Sequence, residues 1–196
     1  MKKIITISRE FGSAGRTIGK KLAEELGYTY YDKEIIEKIA EKTGLSPQFI
    51  EKNGEYAQGT NIFSYAFVGR TIEGESVDDY IWQKQREIIL ELAEKENCII
   101  VGRCADYILK GRKDCLHIFV HADIEKRAER IVSVYGETDV QPVKRIKDKD
   151  KKRSVNYKYY TGRQWGMAQN YDMTLDSGTI GIQNCIEIVC GLVKGL

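Results

Sequence analysis

The residues best suited to chemistry lie in a short glycine-containing loop near the start of the sequence. The loop reads Gly12, Ser13, Ala14, Gly15, Arg16 and Thr17. Its glycines adopt backbone angles that other residues resist, so a phosphate can approach main-chain N–H groups closely. An arginine can bind two phosphate oxygens at once, and a threonine hydroxyl in such a loop can ligate magnesium. The loop therefore predicts a phosphate-binding site, and the alternative is a tight turn without a ligand.

This loop matches the common phosphate-loop pattern only in part. The pattern has four arbitrary residues between two glycines, followed by lysine and then serine or threonine. Gly15 and Thr17 fall in register with it. Glu10 stands at the position of the first glycine, and Arg16 replaces the lysine. The arginine keeps the positive charge with a different reach, whereas the Glu10 carboxylate would repel phosphate unless it turned outward.

A strand before the loop and a helix after it would hold these residues in place. Residues 4–7 are all β-branched, which is typical of a buried strand. Ile18, Leu22 and Leu26 then recur at helical spacing. The N-terminus of such a helix points N–H groups and the positive end of its dipole at the loop. Strand, turn and helix thus form a unit shaped to hold phosphate.

Two further polar residues directly follow predicted strands. Asp32 comes after a short strand at 28–31, and Arg103 comes after Gly102 and the strand Cys98–Val101. In doubly wound sheets the ligand binds at the carboxyl edge, where these strands end. Asp32 either touches substrate, orients a magnesium-bound water, or caps a helix that begins at Lys33. Arg103 either contacts a ligand anion or forms a structural ion pair.

The most charged segment is a predicted helix over residues 138–160, opened by a capping box from Thr138 to Gln141. It carries seven cations: Lys144, Arg145, Lys147, Lys149, Lys151, Lys152 and Arg153. Three interpretations stay open, namely a solvated helix face, a mobile basic lid over phosphates, and a nucleic-acid patch that stacks bases on neighbouring tyrosines.

The remaining pattern alternates strands with helices, which predicts a three-layer α/β domain. We expect helices over 33–44, from Ser46-Pro47 onward, over 77–96 with Ser76 as its cap, over 124–135 and from Thr179, and strands over 116–120 and 172–176. Periodicity fades between residues 53 and 74, where four glycines occur. Such a loop in a compact domain is usually functional or mobile.

Composition excludes several classes of protein. The 196 residues carry a net charge of +2, which does not by itself indicate nucleic acid, and no stretch approaches the roughly 20 apolar residues that cross a membrane. Five cysteines without CxxC spacing indicate reduced thiols in a cytoplasm rather than disulfides or a zinc site. His117 and His121 fall on one strand face, and we expect them to be structural because no third ligand is apparent.

Taken together, these segments resemble the cytidylate kinase-like branch of the nucleoside monophosphate kinases over nearly the whole chain. The resemblance is carried by residues 7–16, 31–32, 101–106, 118–130, 150–153 and 171–172 in this order and spacing. It implies a single domain over 1–196 with a phosphate-loop kinase fold: a three-layer α/β/α arrangement, a five-stranded parallel sheet, an acceptor-binding insertion over about 33–96 and a lid over about 138–164. It also implies ATP as phosphate donor and a nucleoside monophosphate such as CMP, or a similar small phosphate acceptor, as the second substrate. Composition and charge, rather than the resemblance, lead us to expect no membrane partner and no nucleic-acid partner.

By that likeness, residues 12–17 hold the phosphates of the donor. Arg103 matches an arginine that holds the acceptor, and Asp150 with Arg153 matches the Asp-x-x-Arg of the lid. The family's cytosine-contacting acid falls on Cys104 here, so Asp106 is the nearest acidic candidate for the substrate.

These residues suggest a mechanism of phosphoryl transfer, which needs positioned phosphates and cations rather than covalent chemistry. We hypothesise that the loop and Arg16 bind the β- and γ-phosphates of ATP while Thr17 ligates Mg²⁺. Arg103 and Arg153 would then act on the acceptor and the transferring group. The competing interpretations are a dinucleotide-binding oxidoreductase, because Asp32 follows a second strand, and a non-catalytic nucleotide sensor, because of Glu10 and Arg16.

Overall fold

The protein is built around a five-stranded sheet whose strands are all parallel, in the order β2-β3-β1-β4-β5. The computed structural model describes residues 3–54 and 76–195. The strands are β1 (Ile4–Arg9), β2 (Thr29–Tyr31), β3 (Cys98–Val101), β4 (Cys115–His121) and β5 (Met173–Asp176). The predicted parallel sheet is therefore confirmed, with β1 at its centre.

Helices cover both faces of the sheet, which completes three α/β/α layers. They are α1 (Gly15–Leu26), α2 (Glu34–Thr43), α3 (Pro47–Gly54), α4 (Val77–Lys95), α5 (Ala105–Ile108), α6 (Ile124–Tyr135), α7 (Pro142–Thr161), α8 (Ser177–Ile180) and α9 (Ile182–Lys194). Ile5 and Ile7 of β1 pack in a core with α1 and α9, whereas Ile4 packs in a second core with α2 and α4. Burial on both faces explains why β1 is continuously apolar or β-branched up to Ile7.

Helix α7 begins at Pro142, so the predicted start at Thr138 is wrong. Gln141 takes the N-cap position, and the Thr138 hydroxyl instead bonds the backbone of Val140. Proline suits the first turn because that position needs no N–H donor and favours the φ that proline imposes. The capping-box pattern matched a turn that precedes the helix.

Two other predicted boundaries differ in detail. The single helix expected from Thr179 is divided into α8 and α9 at Gly181, whose φ is +82°, and Asp176 caps α8 through the N–H groups of Gly178 and Thr179. Ser76 does occupy the N-cap position of α4, but its side chain makes no capping hydrogen bond.

Residues 55–75 fall outside the described residues, and with them most of the irregular stretch predicted over 53–74. The limits of the acceptor-binding insertion and of the lid therefore stay predictions. Within the two described ranges, no helix is long and apolar enough to cross a membrane. All five cysteines belong to the described part of the chain and are free thiols there.

Candidate active site

The predicted phosphate loop lies between β1 and α1, at the carboxyl edge of the sheet. Gly12 has a φ of +87° and Ala14, the residue before α1, has a φ of +64°. A Cβ added at Gly12 would come within 2.9 Å of the Arg127 carbonyl oxygen and of Ile131 Cγ2. Gly12 is therefore required by space as well as by backbone angle, which lets helix α6 support the loop from behind.

Two serines hold the shape of the loop. The Ser13 hydroxyl lies 2.9 Å from the carbonyl oxygens of both Glu10 and Val120. The Ser177 hydroxyl, at the start of α8, lies 2.7 Å from the carbonyl oxygen of Ser13. These bonds tie the loop to β4 and to the end of β5. The loop is thus preorganised, which lowers the entropy that a ligand would otherwise lose.

The Glu10 carboxylate is directed toward β4 and α6. Its Oε2 accepts the N–H of Ala122 at 3.2 Å and lies 3.4 Å from Nε of Arg127. Burial raises the pKa of Glu10, while the nearby Arg127 opposes that rise. The outward turn that phosphate binding requires is therefore present.

Arg16 and Asp32 form an ion pair across the mouth of the loop. Nε of Arg16 lies 2.7 Å from Oδ2 of Asp32, and its Nη2 lies 3.3 Å from Oδ1. The N-cap position of α2 belongs to Lys33, whereas the Asp32 carboxylate faces Arg16. The structure thus brings together two predicted site residues, Arg16 in the first turn of α1 and Asp32 after β2.

Arg103 follows β3 in a strained turn. Arg103 and Cys104 have backbone φ values of +59° and +52°, which residues other than glycine rarely adopt. The carbonyl oxygen of Arg103 accepts a hydrogen bond from Nε2 of Gln85 at 3.0 Å. Strain of this kind is found most often at functional sites. Both residues are buried, and both line a cavity together with Arg9 and Arg153.

Two adjoining cavities occupy this edge of the sheet. The cavity that we call the donor cavity is lined by Arg9, Glu10, Phe11, Gly12, Ala14, Gly15, Arg16, Thr17, Arg130, Tyr135 and Arg153. The cavity that we call the acceptor cavity is lined by Ser8, Arg9, Gly102, Arg103, Cys104, Arg153, Asn156, Tyr157 and Trp165. Arg9 and Arg153 line both cavities, so these two arginines form the boundary between them.

One face of helix α7 reaches the loop and the acceptor cavity. Asp150 accepts the N–H of Phe11 at 2.7 Å and pairs with Nη1 of Arg127 at 2.6 Å. Arg153 donates from Nη1 to the carbonyl oxygen of Arg9 at 3.2 Å. These side chains follow the helical repeat, so the predicted Asp-x-x-Arg lies on the site.

The opposite face of α7 carries solvated cations. The exposed lysines are Lys144, Lys147, Lys151, Lys152 and Lys158. The solvated-face interpretation therefore holds for these lysines, while Asp150 and Arg153 serve the site. At Ile146, near the start of the helix, the side chain is buried and contributes to packing.

Asp106 lies in a buried hydrogen-bond network beside the acceptor cavity. One carboxylate oxygen accepts the Ser8 hydroxyl at 3.1 Å, and the other accepts the Tyr157 hydroxyl at 2.6 Å. Burial raises the pKa of Asp106, and these two hydrogen bonds oppose the rise. Its 3% exposure indicates a support for the cavity wall, and its predicted contact with substrate stays a prediction.

Sequence patterns did not single out several residues of the site. Arg9 belonged to the matching segment 7–16, and Arg127 and Arg130 belonged to the segment 118–130, but none of the three was given a role. Nη2 of Arg130 donates to Oγ1 of Thr17 at 2.9 Å. The available signal was the i, i+3 spacing of Arg127 and Arg130 in the first turns of a helix that follows β4 at the same edge.

Both histidines, His117 and His121, lie on β4. Nδ1 of His117 lies 2.8 Å from the Thr6 hydroxyl oxygen, between β4 and β1. Across residues 3–54 and 76–195, no three His, Cys, Asp or Glu side chains are grouped to hold a metal. His117 therefore joins β4 to β1, and the expectation that the histidines bind no metal stays a prediction.

Comparisons with known proteins agree with this geometry. The model of the cytidylate kinase-like family matches residues 4–179. A cytidylate kinase from Archaeoglobus fulgidus is 28% identical over 97% of this chain and 94% of its own length. A cytidylate kinase from Pyrococcus furiosus is 27% identical over 98% of this chain and 89% of its own length.

Solved structures agree as well. A crystal structure of an uncharacterized protein from Eubacterium ventriosum has a TM-score of 0.74 at 25% identity, covering 98% of this chain and 99% of that one. Shikimate kinase from Acinetobacter baumannii has a TM-score of 0.54 at 16% identity, covering 98% and 93%, which is a likeness of fold alone.

The five-stranded parallel sheet and the loop–helix unit agree with the phosphate-loop kinase fold, and relatives named cytidylate kinases support the kinase class. The family match covers most of the sequence. The chain belongs to the cytidylate kinase-like family.

Proposed function

We propose that the protein transfers the γ-phosphoryl group of ATP to the phosphate of a nucleoside monophosphate, with CMP as the first acceptor to test. The observation that carries this proposal is that a donor cavity built on a phosphate loop adjoins an acceptor cavity that contains Arg103. Two adjoining anion sites are what direct transfer between phosphates requires. Relatives named cytidylate kinases add support.

The donor phosphates would bind the loop of Gly12, Ser13, Ala14 and Gly15, together with Arg16 and Thr17. The first-turn N–H groups of α1 face this loop and favour negative charge. Arg16 would contact the phosphates from beside Asp32, which holds its guanidinium at the mouth of the loop.

The acceptor would lie in the cavity of Arg103, with its phosphate directed toward Arg153. Asp32 would contact the acceptor from its position beside Arg16. Asp106 would act beneath the cavity wall, where it holds Tyr157. We also propose that residues 33–96 form the acceptor-binding region and that residues 138–164 form the lid, with Asp150 connecting that lid to the loop.

Magnesium fits this site as an ion held mainly by phosphates. Mg²⁺ usually keeps several waters and takes few protein ligands beside substrate phosphates. Thr17 accepts one N–H from Arg130, and a hydroxyl oxygen has a second lone pair that can face a cation. Thr17 would therefore hold the ion, whose charge would neutralise the phosphates of the donor.

Phosphoryl transfer requires the protein to position the two phosphates and to stabilise the charge on the transferring group. An oxygen of the acceptor phosphate forms a bond to the γ-phosphorus, and the bond from that phosphorus to the bridging oxygen breaks, with its electrons leaving on ADP. Arg153, held by Arg9 on one side and by Phe11 on the other, would stabilise the charge on the transferring group.

The five free thiols support a reducing compartment such as the cytoplasm.

A product assay with Mg-ATP and a panel of nucleoside monophosphates tests the proposal. We expect the diphosphate of at least one acceptor to form together with an equal amount of ADP. A second candidate, the nucleotide sensor, is favoured by the Arg16–Asp32 pair, which competes with phosphate for Arg16. Tight ATP binding without product from any acceptor would favour the sensor and overturn the kinase.

A further inference from the structure

We propose that Arg9 is a catalytic arginine, which contacts both the terminal phosphate of the donor and the phosphate of the acceptor. This role presupposes the phosphoryl transfer proposed above and adds a residue that stands outside the phosphate-loop pattern. Arg9 is the last residue of β1, and only 5% of its surface is exposed. Its side chain therefore lies inside the site, where it lines both the donor and the acceptor cavity.

Two glycines leave the space that the Arg9 side chain occupies. A Cβ at Gly15 would lie 2.5 Å from Cβ of Arg9 and 2.9 Å from its Cγ. A Cβ at Gly102 would overlap Nη1 of Arg9. The side chain therefore runs from the first turn of α1, at Gly15, to the turn after β3. The guanidinium of Arg9 thereby lies beside Gly102, at the acceptor cavity.

Four arginines surround the boundary between the two cavities, together with two carboxylates. Nη2 of Arg9 lies 4.0 Å from Oδ1 of Asp32, whose other oxygen lies 2.7 Å from Arg16. The carbonyl oxygen of Arg9 accepts an N–H of Arg153, whose Nη1 lies 3.8 Å from Oδ1 of Asp150. Arg103 lines the same acceptor cavity. Because Arg9 and Arg153 line both cavities, phosphates at the boundary would lie beside the N–H groups of both.

Arg9 is better placed than Arg16 to touch both substrates. Arg16 lines the donor cavity but not the acceptor cavity, and its guanidinium pairs with Asp32. Arg9 lines both cavities. During transfer the new bond to the γ-phosphorus forms as the bond to the bridging oxygen breaks. Arg9 would gain and lose no proton in this step, since arginine stays protonated, and its N–H groups would stabilise the equatorial oxygens.

The test compares Arg9→Gln and Arg9→Lys with Arg112→Gln in the full chain. Arg112 is a matched control because it pairs with Glu94 and Asp114 just before β4, at the opposite edge of the sheet. Removing one preorganised donor lowers turnover by about 100-fold or more, so we expect that loss in Arg9→Gln. Arg9→Lys keeps the charge without the two-pronged geometry, and we expect a loss of about tenfold or more. Turnover in Arg9→Gln within threefold of the wild type would overturn the assignment.

Two readouts separate a catalytic role from a purely structural one. Guanidinium ion at low millimolar concentration should restore part of the turnover of Arg9→Ala, whereas sodium ion should not. Calorimetric binding of tripolyphosphate, which needs no acceptor, should weaken about tenfold in Arg9→Gln and stay unchanged in Arg112→Gln. If the wild type makes no product, the proposed function fails, and tripolyphosphate binding still decides whether Arg9 holds phosphate. Equal tripolyphosphate affinity in wild type and Arg9→Gln would refute that contact.

Discussion

Asp150 of helix α7 accepts the backbone N–H of Phe11 in the phosphate loop at 2.7 Å. The same carboxylate pairs with Arg127 of helix α6 at 2.6 Å. One side chain therefore fastens α7 to the loop and to the helix that supports it. The cation that α7 supplies to the site, Arg153, lies one turn further along and depends on this attachment for its position.

Asp150→Asn should destabilise the fold. Asparagine still accepts the Phe11 N–H through its oxygen, but it leaves Arg127 without its nearest charge partner. Removing one member of a fully buried ion pair costs roughly 3–5 kcal/mol. We expect a loss near the lower value, because Asp150 is only partly buried and Arg127 keeps its contact with Glu10. The substitution also removes the carboxylate that lies 3.8 Å from Nη1 of Arg153. The free energy of unfolding in urea measures this loss of stability. Asp148→Asn, on the exposed face of the same helix, should change the free energy of unfolding by less than about 0.5 kcal/mol. Equal effects of the two substitutions would contradict the attachment.

Arg16→Ala and Arg153→Ala should each lower turnover by about 100-fold, because each removes a positioned cation from the transferring phosphate. Steady-state rates of ADP formation with Mg-ATP and the best acceptor measure this loss. Arg112→Ala provides the control for a lost arginine away from the site. Rates equal to the wild type in both site variants would end their assignment.

Much of the fold follows from local patterns. The β-branched run that ends in a glycine loop, and the helical spacing after it, predicted β1 and α1 correctly. The start of α7 was missed because a capping-box pattern at Thr138 outweighed Pro142 four residues later. Short polar motifs recur in turns as well as in helix caps, so the pattern alone could not separate them.

Position in the sheet predicted the residues that follow strand ends, whereas Asp150 and Arg153 were predicted from the family resemblance. Asp32 and Arg103 were found because parallel strands end at one edge of the sheet. The Arg16–Asp32 pair and the place of Arg9 were not accessible, since both depend on side-chain direction across neighbouring strands. The role of Asp106 depends on Tyr157, which lies 51 residues away.

Gly12→Ala should destabilise the protein more than Gly111→Ala. Their φ values of +87° and +85° are nearly the same, so the strain of a left-handed alanine is matched at roughly 1–2 kcal/mol. Only at Gly12 would the new Cβ meet backbone and side-chain atoms at 2.9 Å, and nothing lies within 4 Å at Gly111. We expect an additional loss of about 1–3 kcal/mol at Gly12, measured by urea unfolding. Equal losses in the free energy of unfolding would show that helix α6 shifts to make room for the new Cβ at position 12.

The pH dependence of stability should report the buried acid Asp106. Burial raises the pKa of Asp106 above its ordinary value of 3.8, so the folded state keeps this proton at pH values where the unfolded chain has lost it. The free energy of unfolding should therefore fall as pH rises from that value through the folded-state pKa, and then level off. Asp106→Asn removes this contribution. Urea unfolding of both proteins between about pH 4 and 8 should give a difference that declines with pH, and a constant difference would exclude the effect.

The channel through which Arg9 passes also sets a rule for how relatives of this chain can diverge. A shorter residue at position 9 would vacate the space beside Gly102, but the φ of +76° at Gly102 would still favour glycine there. A Cβ at position 15 would overlap Cβ of any side chain at position 9. Glycine should therefore persist at position 102 across the family, and at position 15 wherever position 9 carries a side chain. Sequences that lack the arginine can be expected to have found another cation for the junction of the two cavities.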